Sequence, residues 1–92
     1  MMEECNKAVL SLDYVDFNKR LVSGVNMGSA KIFACDNILR LVKSIAHAVE
    51  KSDDFQLTLY QGELHGFITA LSYCRKISDD LYHYLLSNFY YI

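Results

Sequence analysis

Glu63 and His65 are the two residues of this sequence that most resemble a catalytic pair, within the stretch YQGELHGFITALSYCRKISDD at 60–80. A carboxylate beside an imidazole can transfer protons in general acid–base catalysis. A helix turns about 100° per residue, so side chains two positions apart lie on different sides of it. If this stretch is helical, the sequence therefore predicts that Glu63 and His65 do not act together.

Three cysteines and three histidines raise the question of a zinc site. Ligands on one helix lie at i and i+4, as in H-E-x-x-H, and no histidine here has such a partner. His65 and His83 each lie nine positions from Cys74, which places them opposite Cys74 on a continuous helix. Cys5 and Cys35 fall on apolar stripes, where free cysteine behaves as a small hydrophobic residue. We expect no metal and no cofactor.

Motifs for nucleophilic and phosphate chemistry are missing, since neither G-x-S-x-G, G-x-x-x-x-G-K nor G-x-G-x-x-G occurs. Ser72 and Ser78 lie in no motif that marks a nucleophile. Most of the carboxylates occur in pairs that helix capping and the helix dipole explain: Glu3/Glu4, Asp53/Asp54 and Asp79/Asp80. The sequence therefore predicts a protein without catalytic residues, not an enzyme.

Composition favours one folded domain spanning residues 1–92, because 52% of the residues are hydrophobic and proline is absent. The net charge of -2 argues against broad phosphate-backbone binding and against a strongly acidic mimic of nucleic acid. The odd number of widely spaced cysteines and the lack of a signal-like or membrane-length apolar run favour a reducing cytosol. We expect a cytoplasmic protein without a membrane partner, located in the host cytosol if a phage encodes it.

Three polar clusters divide the chain into four segments: SGVNMGS at 23–29, KSDD at 51–54 and KISDD at 76–80. The predicted fold is all-α, a compact domain of four helices that ends in an αα-hairpin. A fifth helix arises if the first segment, from Glu3 to Ser23, breaks near Asp13, which can cap a second short helix. Alternating apolar residues at 10–14 and 55–60 leave a short two-stranded pairing as the alternative.

The second segment carries the clearest helical pattern, with Ser29 as its predicted N-cap. Its apolar stripe contains Cys35, Ile38, Leu41, Val42, Ile45, Ala46 and Val49. The opposite side carries Asp36, Arg40, Lys43 and His47.

The last two segments have their own capping signals. Asp53 with Gln56 is a capping-box pattern for the third helix, and Ser78 is the predicted N-cap of the fourth. The apolar face of the third helix is Leu57, Tyr60, Leu64, Phe67, Ile68 and Leu71. The inward stripe of the fourth is Leu81, Leu85 and Phe89.

Arg40 and Lys43, with Lys51, form the only basic stripe, which Asp36 and Glu50 interrupt. A solvated helix face explains it, and contact with RNA or phosphate is the alternative. The closing helix contains no lysine or arginine, so the final hairpin does not suit DNA reading. We do not expect direct binding of nucleic acid.

Small side chains recur every four positions along the third helix, at Thr58, Gly62, Gly66, Ala70 and Cys74. Each glycine inside a helix costs about 1 kcal/mol relative to alanine, so two of them indicate a close helix approach. Gly62, Gly66 and Ala70 are therefore predicted to form a helix seam. The neighbour is either another helix of the same chain or a second molecule, as in a homodimer.

Aromatic residues occupy several sides of the C-terminal helix, which ends in NFYYI. Tyrosine is enriched at protein interfaces because it combines a large contact area with a polar tip. Tyr84, Tyr90 and Tyr91 are therefore candidates for an exposed surface that binds a larger protein or nucleoprotein complex. The alternative is that these tyrosines roof a small core with their hydroxyls in water.

The run QGELHGFITALSYCRKISDDLYHYL, in the last third of the chain, resembles small all-helical accessory proteins of phages and plasmids. The shared features are a G-x-x-x-G helix, an I-S-D-D cap and a leucine-spaced closing helix, and they carry over no functional residue. The resemblance implies a non-catalytic inhibitor that blocks a host macromolecular complex, as anti-CRISPR and anti-restriction proteins do. The alternatives are a helical regulator of nucleic acid or nucleoprotein, and an immunity or antitoxin protein.

Overall fold

Helices joined by short connections make up the computed structural model, which describes residues 9–90. The elements are α1 (Tyr14–Gly24), a 3-10 turn (Gly28–Ala30), α2 (Lys31–Glu50), α3 (Asp54–Tyr73), α4 (Asp79–Leu85) and a π-helical turn (Leu86–Tyr90). The predicted all-α fold with four helices is confirmed. Within residues 9–90 there is no strand, because 55–60 lies inside α3 and 10–14 crosses the turn before α1. The strand alternative is therefore wrong.

Three of the four predicted N-caps are confirmed. The Asp13 carboxylate accepts hydrogen bonds from the N–H groups of Val15 and Asp16 at 3.0 and 3.3 Å, which starts α1 at the predicted break. The Asp53 carboxylate accepts from Gln56 N–H at 3.0 Å, and Ser78 Oγ accepts from Leu81 N–H at 3.1 Å. These side chains satisfy N–H groups that have no partner inside the helix.

Ser29 is not the N-cap of α2, so that prediction is wrong. Ser29 lies inside the 3-10 turn, and Ala30 occupies the capping position without a side-chain hydrogen bond. The Ala30 N–H donates to the Met27 carbonyl at 3.0 Å, and the Lys31 N–H donates to Gly28. Because backbone carbonyls satisfy these donors, the turn leads into α2 without the serine hydroxyl.

The core lies between α2 and the other helices, and the contact between α2 and α3 is the most extensive. The predicted stripe of α2 is largely confirmed, with Ala46 and Val49 half-buried and the other members buried. In α3 the buried residues are Leu64, Ile68 and Leu71, while Leu57, Tyr60 and Phe67 are half-buried. Leu81, Leu85 and Phe89 close the core from the C-terminal segment as predicted.

The connection that follows α1 lies against the connection that precedes α4. The Asn26 N–H donates to the Lys76 carbonyl at 2.7 Å, and the Ser78 N–H donates to the Gly24 carbonyl at 2.8 Å. These bonds flank an isolated antiparallel bridge between Val25 and Ile77, both buried. They hold the start of α4 against the end of α1.

Candidate functional site

Glu63 and His65 point to different neighbours, as predicted. Glu63 Oε2 lies 3.8 Å from Arg40 Nη2 on α2, with both side chains about half exposed. The His65 ring instead stacks on the Tyr90 ring, with the two centroids 4.6 Å apart. The carboxylate and the imidazole are therefore engaged on opposite flanks of α3, and the geometry does not support an acid and base pair.

The cysteines and histidines do not converge within residues 9–90, where no group of three metal-ligating side chains exists. Cys35 is buried and Cys74 is exposed, while Cys5 lies outside the described residues. Burial raises the pKa of the Cys35 thiol above its ordinary value; Lys31 opposes the shift and Asp36 adds to it. Cys35 is thus a core residue, as its place on the apolar stripe predicts.

Arg40 and Lys43 line one open surface groove of 530 Å³, together with Asp36, Leu39, Ser44, His47 and Tyr60. The Arg40 guanidinium donates to Asn37 Oδ1 at 2.9 and 3.3 Å, besides its pairing with Glu63. Lys43 Nζ lies 5.3 Å from the centroid of the Tyr14 ring. The structure therefore brings the two predicted residues together, but each already has a partner within the chain.

Tyr84 is half-buried and packs towards α1. Its ring lies 6.3 Å from the Phe17 ring and 6.2 Å from the Phe89 ring, and Arg20 Cζ lies 4.5 Å from its centroid. Burial raises the pKa of the Tyr84 hydroxyl; Arg20 opposes the shift and Asp16 adds to it. This position fits a tyrosine that covers the core.

Tyr90 is also half-buried, and its ring packs on His65 of α3. The Gln61 side-chain amide holds the adjoining backbone by donating to the Phe89 carbonyl at 3.1 Å and to the Tyr90 carbonyl at 3.3 Å. Tyr91 lies outside the described residues. Tyr84 and Tyr90 thus pack against different helices, and partner binding through them stays a prediction.

The ridge of small residues along α3 faces solvent. Thr58, Gly62, Gly66, Ala70 and Cys74 are all exposed, and a Cβ added to either glycine would meet no heavy atom within 4 Å. Among residues 9–90, the proposed neighbour from the same chain is therefore wrong, because α3 packs on α2 and on the C-terminal segment through its other sides. No helix in the described part of the chain makes the close approach that the glycines indicate.

Large apolar side chains accompany the glycines on this side of α3. Phe55, Leu59 and Tyr73 are 76%, 46% and 86% exposed. At about 100° per residue, these three lie within about 60° of Gly62 and Gly66 around the helix. We call this surface the Phe55–Tyr73 face, and its residues are Phe55, Leu59, Gly62, Gly66, Ala70 and Tyr73.

The large members of the Phe55–Tyr73 face were missed from the sequence. The apolar residues of α3 occur on two sides of the helix, and the stripe with leucines at 57, 64 and 71 predicts the core side. The helical repeat could have identified the second side, because it places Phe55 and Tyr73 at nearly the same angle around the helix axis as the two glycines.

Phe33 on α2 is a further exposed apolar residue, with 78% of its surface accessible to solvent. The Arg40 to Glu63 contact sets the register of the antiparallel α2 and α3. Counting seven residues from that contact in each helix places Phe33 level with Ala70. Phe33 therefore adds an exposed apolar side chain on α2 near the Tyr73 end of α3.

Comparison of the chain with protein-family models, with curated proteins and with solved structures finds no match. Among the helices of residues 9–90, none has both the length and the apolar character that crossing a bilayer requires.

Proposed function

We propose that this protein acts by binding another protein through the Phe55–Tyr73 face, and not by catalysis. The observation that carries the proposal is the exposure of Phe55 and Tyr73 at the two ends of α3, on the side that carries Gly62 and Gly66 at its middle. Large apolar side chains grouped on one exposed side of a helix favour a protein interaction site. The two glycines weaken α3 in the isolated chain, and a partner that packs closely against them offsets this loss.

A protein that binds in this way acts by covering a surface of its partner. The form that the resemblance suggests is an inhibitor that occludes part of a larger host complex in the cytosol, of the anti-CRISPR or anti-restriction type. An immunity or antitoxin protein would use the same kind of apolar helix face against its cognate toxin. The neighbouring gene distinguishes these roles, because an antitoxin is encoded beside its toxin.

A regulator that contacts nucleic acid through Arg40 and Lys43 is less well supported. Arg40 is paired with Glu63, Asp36 lies in the same groove, and the net charge of the chain is -2. Phosphate binding requires cations that release counterions from the nucleic acid. If this alternative holds, binding weakens steeply as the salt concentration rises.

A photo-crosslinking amino acid at position 73 tests the proposal in cells of the native host. We expect protein adducts from this position, and none from a matched crosslinker at Val15, which is 70% exposed on α1. The double substitution Phe55→Ser with Tyr73→Ser should abolish binding, whereas Tyr84→Ser with Tyr90→Ser should leave it. Binding lost only in the second variant would place the site at the C-terminal tyrosines instead.

A further inference from the structure

We propose that the Phe55–Tyr73 face binds a second copy of this chain, in an antiparallel dimer whose two-fold axis passes at the level of Leu64. This inference rests on the proposed function, since it names the occupant of the same face in the free protein, and a different protein partner would have to displace the second copy. In a two-fold dimer the same surface is used by both copies, so the surface must be complementary to itself after reversal. Residue types along α3 meet that condition.

Pairs of similar residues lie at equal distances from Leu64. Gly62 and Gly66 lie two positions before and after it, and Phe55 and Tyr73 lie nine positions before and after it. In the proposed dimer Gly62 of one copy therefore meets Gly66 of the other at the crossing point. Phe55 of one copy meets Tyr73 of the other at each end of the helix.

The shape of this face suits a close helix crossing. Without side chains at the crossing point, two helix axes can approach to about 8 Å, the lower end of the usual range. The space beside Gly62 and Gly66 is open among residues 9–90, so a second backbone can enter it. At each end of α3, the Phe55 ring of one copy then packs against the Tyr73 ring of the other. Aromatic side chains provide a large contact area, so these two pairs supply much of the buried surface.

The charges beyond the aromatic residues select the antiparallel orientation. Asp53 lies eleven positions before Leu64 and Arg75 eleven positions after it, with Asp54 and Lys76 beside them. All four side chains are exposed. Antiparallel packing places the acidic end of each copy against the basic end of the other, whereas parallel packing would oppose like charges.

The area of α2 and α3 that a second copy can cover indicates a dimer that dissociates on dilution. From Phe55 to Tyr73 the helix is about 27 Å long, and the surface of α2 and α3 together is about 20 Å wide. These dimensions correspond to roughly 1,000 Å² buried by two copies, which is in the range of weak complexes. Phe33 contributes to this area near Tyr73.

Sedimentation equilibrium of the full chain over a range of concentrations tests the dimer. We expect the mass to rise from one chain to two with concentration, and Gly62→Leu with Gly66→Leu to raise the dissociation constant at least about tenfold. Phe55→Ser with Tyr73→Ser should do the same without enlarging any residue. Val15→Ser is the matched control and should leave the dissociation constant unchanged, and circular dichroism checks that each variant is folded.

Charge exchange between two chains tests the orientation. A chain with Asp54→Lys and a chain with Arg75→Glu and Lys76→Glu should each associate weakly alone. Mixing them should restore dimerisation, because each altered end then meets an opposite charge on the other copy. A dimer that forms equally in all three cases uses another surface, and that result would overturn the inference.

The outcomes separate this inference from the proposed function. A chain that stays monomeric at every concentration, while a crosslinker at position 73 captures a different protein, would refute the dimer and retain protein binding through the face. A chain that is monomeric and yields no adduct at position 73 would refute both.

Discussion

Gly24 lies directly against Leu81, where the end of α1 meets the first turn of α4. A Cβ added to Gly24 would lie 2.6 Å from Leu81 Cδ2 and 2.7 Å from Leu81 Cβ. The Gly24 carbonyl also accepts the hydrogen bond from Ser78 N–H at 2.8 Å. The close helix approach within residues 9–90 therefore occurs at Gly24, and not at the two glycines of α3.

We predict that Gly24→Ala lowers the free energy of unfolding by about 1–3 kcal/mol, because the added methyl group displaces Leu81 from the core. Gly62→Ala is the matched control, since the space beside it is open. That substitution should raise the free energy of unfolding by up to about 1 kcal/mol through helix propensity. Urea unfolding at low protein concentration measures both, and equal effects would contradict the assignment of Gly24.

Capping residues provide a second prediction. Asp53→Ala and Ser78→Ala should each lower the free energy of unfolding by about 1 kcal/mol, because each removes an acceptor for a helix N–H group. Ser29→Ala should change it by less than about 0.5 kcal/mol, since the Ser29 hydroxyl caps no helix. A loss at Ser29 as large as that at Ser78 would show that the serine caps α2 in solution.

The raised pKa of Tyr84 predicts that the free energy of unfolding falls at alkaline pH. Its pKa is raised in the folded state from the ordinary value of 10.0, mainly by burial. The neutral hydroxyl is therefore favoured by folding, so the contribution is complete below pH 10.0 and is lost as the pH rises through the folded-state pKa. Tyr84→Phe should reduce this loss in pH-dependent urea unfolding, and an undiminished loss in this variant would contradict the prediction.

The two described cysteines should differ in reactivity. The thiolate is the reactive form, and Cys35 is buried with a raised thiol pKa, whereas Cys74 is exposed. Iodoacetamide should therefore label Cys74 at a rate many times that of Cys35, and peptide mass spectrometry can follow each site. Urea should remove the difference. Equal rates in the native protein would indicate that the core around Cys35 opens readily.

Features that depend on a few neighbouring residues could be read from the sequence. The caps at Asp13, Asp53 and Ser78 follow from a polar side chain and the N–H groups two or three positions later. The buried stripes of α2 and α4 follow from the helical repeat alone. The divergence of Glu63 and His65 follows from the same geometry. The prediction that Ser29 caps α2 was wrong because Gly28, with φ of +55°, starts a 3-10 turn. The backbone carbonyls of this turn satisfy the first N–H groups of α2.

Features that depend on which helices meet were decided only by the tertiary structure. The helical repeat of α3 offers two apolar sides, and α2 and the C-terminal segment pack on the predicted one, with Leu64 and Ile68, and not on both. That choice left Gly62 and Gly66 in solvent between Phe55 and Tyr73. The same long-range packing placed Gly24 against Leu81 and turned Tyr84 towards Arg20. The sequence by itself therefore determined the helices, three of the four predicted caps and the apolar stripes, while the three-dimensional packing determined that the glycine side of α3 is left exposed.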